Sequence, residues 1–284
     1  MENSTEQKGT AMIKLVLTDI DGTILPKGQK VVSENMRSAI RAAQDAGITV
    51  GVATGRAVSG VLPTFEGDTA CVQTALATNG MQVYLDGDLI HEEYLDHDEL
   101  LKVADAVRAI PGAGLICFGG PTLKEVHLVV GTVEGLRKSF PSYADLAIPA
   151  DDVPSFPIVK ANVYTPTDRE TTQEVLDTLR AAVPGIGFNL PMPGFLNIVP
   201  LGYSKADGVR ILCEALGIGT DEVVVFGDGG NDLEMLGAVE NSVAVANATP
   251  EVLAAARWHI GSCADEAVAD VMSALAAGEW PFEE

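Results

Sequence analysis

Two short apolar runs in this chain end abruptly in acid. Leu15–Thr18 (LVLT) runs straight into Asp19-Ile20-Asp21-Gly22-Thr23, and Val223–Phe226 (VVVF) into Gly227-Asp228-Gly229-Gly230-Asn231-Asp232. Uncharged, branched runs of this length suit parallel strands buried on both faces. Acids placed at the carboxyl ends of such strands lie where open parallel sheets bind ligands. Between the runs the pattern alternates. Ser33 offers an N-cap, Met36, Ala39, Ile40 and Ala43 follow at helical spacing, Gly47 stops the helix and Ile48–Ala53 reads as the next strand. A right-handed parallel crossover is expected here. Ala75–Thr78 reads as a third strand, leading into Asn79-Gly80. The alternation resumes with a helix over Lys205–Leu216, the VVVF strand, a helix near Asp232–Gly237 and a strand at Val243–Ala246. A helix from Glu251, a short run at Trp258–Ile260 and a helix from Asp265 complete it.

The middle of the chain reads differently. Asp86-Gly87 between Gln82–Tyr84 and Leu89–His91 signals a hairpin. Helical patterns at Asp98–Ile110 and Glu170–Ala182 are outnumbered by strand candidates at Gly114–Phe118, Val126–Val130 and Ile158–Tyr164. The expected fold is therefore an α/β, Rossmann-like parallel-sheet core over 1–82 and 203–284. An α+β domain over 83–202, built on an antiparallel sheet, is inserted into it. The stretch Ala181–Ser204 carries no charge, but its four Pro and four Gly break any membrane helix, so two short strands are expected there. Residues 1–12 read as a polar tail without the apolar stretch of a signal peptide.

Composition narrows the function. The 284 residues are 47% hydrophobic and carry 40 Asp+Glu against 18 Lys+Arg, a formal charge of −22. That balance argues against nucleic acid and against an anionic membrane surface. Acids outnumber bases in both parts of the chain, so no acidic tail accounts for it. Cys71, Cys117, Cys213 and Cys263 form no CxxC pair and read as reduced, buried thiols of a cytoplasmic protein. A monomer or small homo-oligomer is expected.

The acid clusters carry the chemistry. Asp19 and Asp21 share one side of a loop that Gly22 turns sharply, and like charges that close call for a compensating cation. Asp228 ends the other strand, with Asp232 near a helix start where a carboxylate suits the dipole. Oxygen ligands from Asp19, Asp21 and Asp228 suit a hard cation, most naturally Mg²⁺. Each cluster alone could be a capped turn; two in one sheet make that coincidence harder to sustain. Thr54-Gly55-Arg56 ends the second strand and could give a hydroxyl and a backbone amide to a phosphoryl oxygen. Lys205 could give a point charge, although Ser204-Lys205-Ala206-Asp207 also reads as a capping box around a solvated lysine. Together these parts describe phosphoryl transfer through an aspartyl-phosphate.

LVLTDIDGTIL, GITVGVATGR, Thr78-Asn79-Gly80, YSKADGVRIL and GDGGNDLEM, in this order, resemble the haloacid dehalogenase superfamily, and the large insertion resembles its Cof-type sugar-phosphatase branch. The resemblance implies Asp19 as nucleophile and Asp21 as acid/base, with Thr54 and Lys205 holding the phosphoryl group. It implies Mg²⁺ on Asp19, the Asp21 carbonyl and Asp228, supported by Asp232. Gly55, Asn79 and Asn231 would face the substrate, and Arg56 belongs to the same pattern in a catalytic or a structural role. One departure is Asn197, where the family often carries a carboxylate before the lysine. Lys160, Asn162, Lys124, His127 and Arg169 are candidates for substrate choice; Trp258 and Trp280 are expected to pack, and His91 and His97 lack metal spacing. The implied activity is a Mg²⁺-dependent phosphatase for a small phosphorylated metabolite, a sugar phosphate first. The alternatives are a phosphomutase or a non-catalytic phosphometabolite-binding protein.

Overall fold

The computed structural model describes residues 12–282, so the expected tail lies, Met12 apart, outside the described residues. Among the described residues, fourteen strands form two sheets. The larger contains β1 (Leu15–Thr18), β2 (Thr49–Ala53), β3 (Thr74–Ala77), β4 (Gln82–Leu85), β5 (Asp88–Glu92), β12 (Val223–Gly227), β13 (Asn241–Val245) and β14 (Trp258–Ile260). Their order is β14-β13-β12-β1-β2-β3-β4-β5. All neighbours are parallel except the β3–β4 and β4–β5 pairs.

Burial explains why β1 reads as an unbroken apolar run. Val16 faces a core shared with the helices Glu34–Asp45 and Ala267–Ala276. Leu15 and Leu17 face the opposite core, shared with Lys205–Leu216 and Leu233–Ala238. Both faces are covered, as parallel strands require. The first helix begins where expected: Ser33 Oγ accepts from Met36 N at 3.0 Å.

The smaller sheet contains β6 (Gly114–Gly119), β7 (Glu125–Val130), β8 (Ala147–Pro149), β9 (Ala161–Tyr164), β10 (Ile186–Met192) and β11 (Phe195–Pro200), in the order β10-β11-β9-β6-β7-β8. It is antiparallel apart from the β7–β8 pair. Helices His97–Arg108 and Arg169–Ala182 pack on one face, around Leu100, Leu176 and Leu196. The uncharged stretch near residue 190 is the expected pair of strands. One placement differs from expectation. The 82–92 hairpin, assigned by sequence mostly to the inserted domain, pairs with β3 and extends the larger sheet. Val83 settles it, because its side chain belongs to the core formed by Leu15, Leu76 and Leu212.

The segment 133–149 was not anticipated. It forms two short helices, Val133–Ser139 and Pro141–Ala144, followed by β8. The four cysteines are free and buried. Among the described residues no helix is long and apolar enough to cross a membrane.

Candidate active site

The carboxyl ends of β1, β2 and β12 converge on one cavity of about 520 Å³, roofed by the smaller sheet and the 133–149 segment. On its floor, Asp19 follows β1 and Asp228 follows β12. Lys205 begins its helix and has no exposed surface; its Nζ donates to Asp19 Oδ1 and to Asp232 Oδ1, each at 2.6 Å. The capping box is also present, with Ser204 N donating to Asp207 Oδ2 at 2.8 Å. The two sequence readings of Lys205 therefore meet: the helix is capped, and the lysine is buried between carboxylates. It can sit there because Gly208 and Gly80 let the helix approach the turn after β3. A Cβ on Gly208 would stand 2.8 Å from Leu76 Cδ2 and 3.2 Å from Gly80 Cα.

Asp232 is fully committed. Its Oδ1 accepts from Lys205, and its Oδ2 accepts from the Asp228 and Gly229 amides at 3.0 Å each. Asp228 is steadied by Thr23, whose hydroxyl donates to Oδ1 at 2.9 Å. One oxygen each of Asp19, Asp228 and Asp232 lies within 4.8 Å of the others. A single buried cation thus faces three acids. Burial pushes the Asp19 carboxyl well above the usual carboxylate range; Lys205 opposes this, while Asp232 and Asp228 add to it. Burial and then Asp232 push Asp228 up to about 6, against Thr23 and Lys205. Burial would lower Lys205, but Asp19 and Asp232 together hold it above the ordinary lysine value, so it stays charged. This oxygen-only, charge-deficient cluster fits a hard divalent cation.

Asp21 lines the same cavity, with its carboxylate held by the Arg56 guanidinium, which donates from Nε at 2.8 Å and also from Nη2. Arg56 Nη1 donates to Thr64 Oγ1 at 2.9 Å. Arg56 is thus tied to the acidic pair. Thr54 is buried at the end of β2, its Oγ1 accepting from Arg56 N at 3.2 Å. Asn79 takes a left-handed backbone (φ 59°), a conformation asparagine tolerates, and accepts from Asn231 Nδ2 at 3.2 Å. Gly55 lies against both Asn79 and Asn197: a Cβ there would stand 3.3 Å from Asn197 Nδ2 and from Asn79 Oδ1.

The roof adds groups that sequence reading only partly found. Lys160 is buried, donates from Nζ to Gly55 O at 2.7 Å and sits over the Phe118 ring at 5.1 Å. Burial lowers it to about 7. Asn162, two residues further on in β9, does not line the cavity; its Nδ2 donates to Asn197 Oδ1 at 2.8 Å, and Asn197 does line it. Lys124 is at the cavity, whereas His127 packs on Phe156 and Arg169 lies outside the lining. Trp258 and Trp280 pack together, with ring centres 6.4 Å apart. His91 and His97 do not reach the cavity.

Phe118, Phe140, Tyr143 and Phe195 line the cavity unanticipated. The signal for them was weak, because the segment bearing Phe140 and Tyr143 is too short to develop a period. Burial raises the Tyr143 phenol, Arg56 lowers it and Asp21 raises it, so this roof residue stands within electrostatic reach of the Asp21–Arg56 pair.

The whole-chain comparisons agree with this geometry. The family model for haloacid dehalogenase-like hydrolases matches residues 16–272. The chain is 29% identical over 276 residues to 5-amino-6-(5-phospho-D-ribitylamino)uracil phosphatase YbjI of Escherichia coli (strain K12), covering 96% of this chain and 99% of that one. It is 28% identical over 254 residues to phosphoglycolate phosphatase of Methanopyrus kandleri, covering 85% and 88%. Among solved structures it is similar to BT1666 of Bacteroides thetaiotaomicron, studied among the phosphatases of this superfamily, with TM-score 0.77 and 24% identity over 96% of this chain and 99% of that one. A match that starts in β1, ends inside the last helix and carries its acids at the ends of neighbouring strands leaves one assignment: the chain belongs to the haloacid dehalogenase-like hydrolases.

Proposed function

We propose that the protein is a Mg²⁺-dependent phosphatase that hydrolyses a small phosphorylated metabolite, of sugar-phosphate size, through an aspartyl-phosphate. The observation that carries this reading is the buried Asp19–Lys205–Asp232 arrangement beside Asp228, at the bottom of a cavity that also holds Asp21 and Thr54. The two relatives named above are, by their names, phosphatases for different phosphate esters, which supports the reaction and leaves substrate choice to the roof. The six-stranded unit acts in this reading as a cap inserted into the catalytic core.

Asp19 attacks the phosphorus, forming an aspartyl-phosphate, a mixed anhydride, as the bond from phosphorus to the leaving oxygen breaks. A carboxylate needs no base for this step. Asp21 gives its proton to the departing alkoxide, then takes one from the water that attacks the phosphorus, breaking the bond to Asp19 and returning its carboxylate. Its hold on Arg56 is exchanged for the leaving oxygen in the productive geometry. Thr54 and the Gly55 amide face the phosphoryl oxygens, and Lys205 keeps Asp19 oriented and balances charge. Asn231 lines the leaving-group side, with Asn79 hydrogen-bonded behind it. Asp19, Asp228 and the Asp21 carbonyl would hold Mg²⁺, with Asp232 fixing the Asp228 loop from behind. The ion's contribution is to shield carboxylate from phosphate and offset the charge of the transferring group.

Asp19→Asn should fold with unchanged circular dichroism and lose at least ~10³-fold in kcat on a generic aryl phosphate with Mg²⁺. Wild-type turnover by that variant would end the aspartyl-phosphate reading.

A further inference from the structure

The cavity has two unlike ends. Its floor is polar, as described. Its far wall is aromatic and comes entirely from the cap. Phe140 stands 3.9 Å from Phe195, centre to centre, and 5.5 Å from Tyr143 at an interplanar angle of only 20°. Tyr143 in turn meets Phe118 edge-on at 5.1 Å. Four rings thus form one continuous surface that packs on itself and needs no ligand to assemble. Beyond it, Leu146 and Met192 also line the cavity, although 52% and 44% of their surfaces are exposed. Beside the rings they extend the apolar surface that a ligand in the cavity can cover.

The polar groups on this side are Ser142, the Tyr143 hydroxyl, Lys124, Lys160 and Asn197. Lys160 Nζ is directed at Gly55 O, and Asn197 lies beside Gly55 with its Oδ1 already accepting from Asn162. Lys124 is exposed at the edge. A bare sugar or polyol presents a hydroxyl on nearly every carbon, more than the Ser142 and Tyr143 hydroxyls beside the rings can pair, and each one left over loses a water partner. A planar ring has the opposite balance, gaining apolar burial and edge or face contacts with Phe140, Tyr143 and Phe195. The small number of polar groups then fixes its orientation, as in ligand sites generally.

We infer that the alcohol released from this active site carries a planar aromatic or heteroaromatic ring, held against the Phe140–Tyr143–Phe195 wall while the phosphoryl group lies between Asp19 and Thr54. A short sugar-like or alkyl chain joins the two. This rests on the phosphatase reading and deepens it: the substrate is a ring-bearing alkyl phosphate, and the wall sets specificity.

The test uses the Mg²⁺-loaded full chain and primary alkyl phosphates, so that leaving-group basicity is matched. Phenyl-substituted alkyl phosphates, from 2-phenylethyl to 5-phenylpentyl phosphate, are compared with glucose 6-phosphate and ribitol 5-phosphate. At least one phenylalkyl phosphate should exceed both sugar esters by about tenfold or more in kcat/KM, mainly through KM. Tyr143→Ser and the surface variant Leu146→Ser should each shrink that ratio. Sugar esters turned over as well as the whole phenylalkyl series, or a ratio untouched by both variants, would overturn the inference. Binding of 3-phenylpropylphosphonate, measured by calorimetry against a sugar phosphonate, needs no turnover. Preferential phenylpropyl binding with no phosphate released from any ester would sink the phosphatase reading while upholding the ring site. Phosphate release with no such preference in binding would do the reverse.

Discussion

Lys205 is a cation with no exposed surface, and its two acceptors come from loops 186 and 27 residues away in sequence. Removing one partner from such a buried group leaves uncompensated charge. Lys205→Met should therefore cost about 3–5 kcal/mol as well as turnover; a melting temperature equal to wild type would mean that Asp19 and Asp232 do not depend on it. Lys160 behaves in the opposite way. Burial lowers it to about 7, whereas the unfolded chain holds that proton up to about pH 10.4. Between these values the unfolded state binds more protons, so stability rises with pH across the window, and below pH 7 the full cost of a buried charge is present. Lys160→Met should thus be more thermostable than wild type near pH 7, with the advantage fading as pH approaches 10. Melting curves that stay parallel from pH 6 to pH 10 would contradict this. Of the individual site residues, the acids at the strand ends and Thr54 were legible from position alone. The burial of Lys205 and the Asp21–Arg56 pair were not, because both depend on neighbours distant in sequence.

At the scale of elements, the turn after β1 does the positioning. Gly22 has φ +92°, and a Cβ there would stand 2.3 Å from Asp228 Oδ2. The residue that turns the chain is therefore also the one that leaves room for the acid of a different strand. Gly22→Ala combines left-handed strain with displacement of Asp228, and should cost ~1–3 kcal/mol. It should also weaken Mg²⁺ binding in a calorimetric titration; an unchanged affinity would place the cation away from Asp228. The regular elements were readable because each carries its own period or cap: Ser33 starts one helix and Ser204 another. The aromatic segment 133–149 was not, since helices of seven and four residues lie below the length at which a 3.6-residue period can be recognised. The 82–92 hairpin was recognised as a hairpin, but its sheet was not, because alternation specifies faces and not the neighbouring strand.

Across the whole molecule, polar contacts link the carboxyl edge of the larger sheet to the smaller unit. Lys160 reaches Gly55 O, and Ser59 Oγ donates to Thr122 O at 2.5 Å. The cavity is closed around groups from both sheets. The formal charge of −22 opposes any anionic substrate at long range, and Lys205, Arg56 and Lys160 offset it locally. Three acids, two of them buried, against one lysine leave negative charge that an added cation would offset. Mg²⁺ at ~100 times its Kd should add about 2.7 kcal/mol of stability, reversed by EDTA, as read by calorimetric melting. No shift in melting temperature with Mg²⁺ would remove the ion from this site.

What the sequence determined by itself is local. Apolar runs without charge gave strands buried on both faces, cap and stop residues gave the helix ends, and acids following the runs marked the carboxyl edge of the sheet as the place for chemistry. Asp19, Asp21, Thr54 and Asp228 follow from that. The tertiary structure alone decided which cap residues face those acids, bringing in Tyr143 and Phe195 while turning Asn162 to hold Asn197. It also decided that Lys205 is buried and not solvated. The physical reason is the same in each case: burial and electrostatic partnership are properties of space, and the partners lie on segments whose meeting no local period, cap or turn specifies.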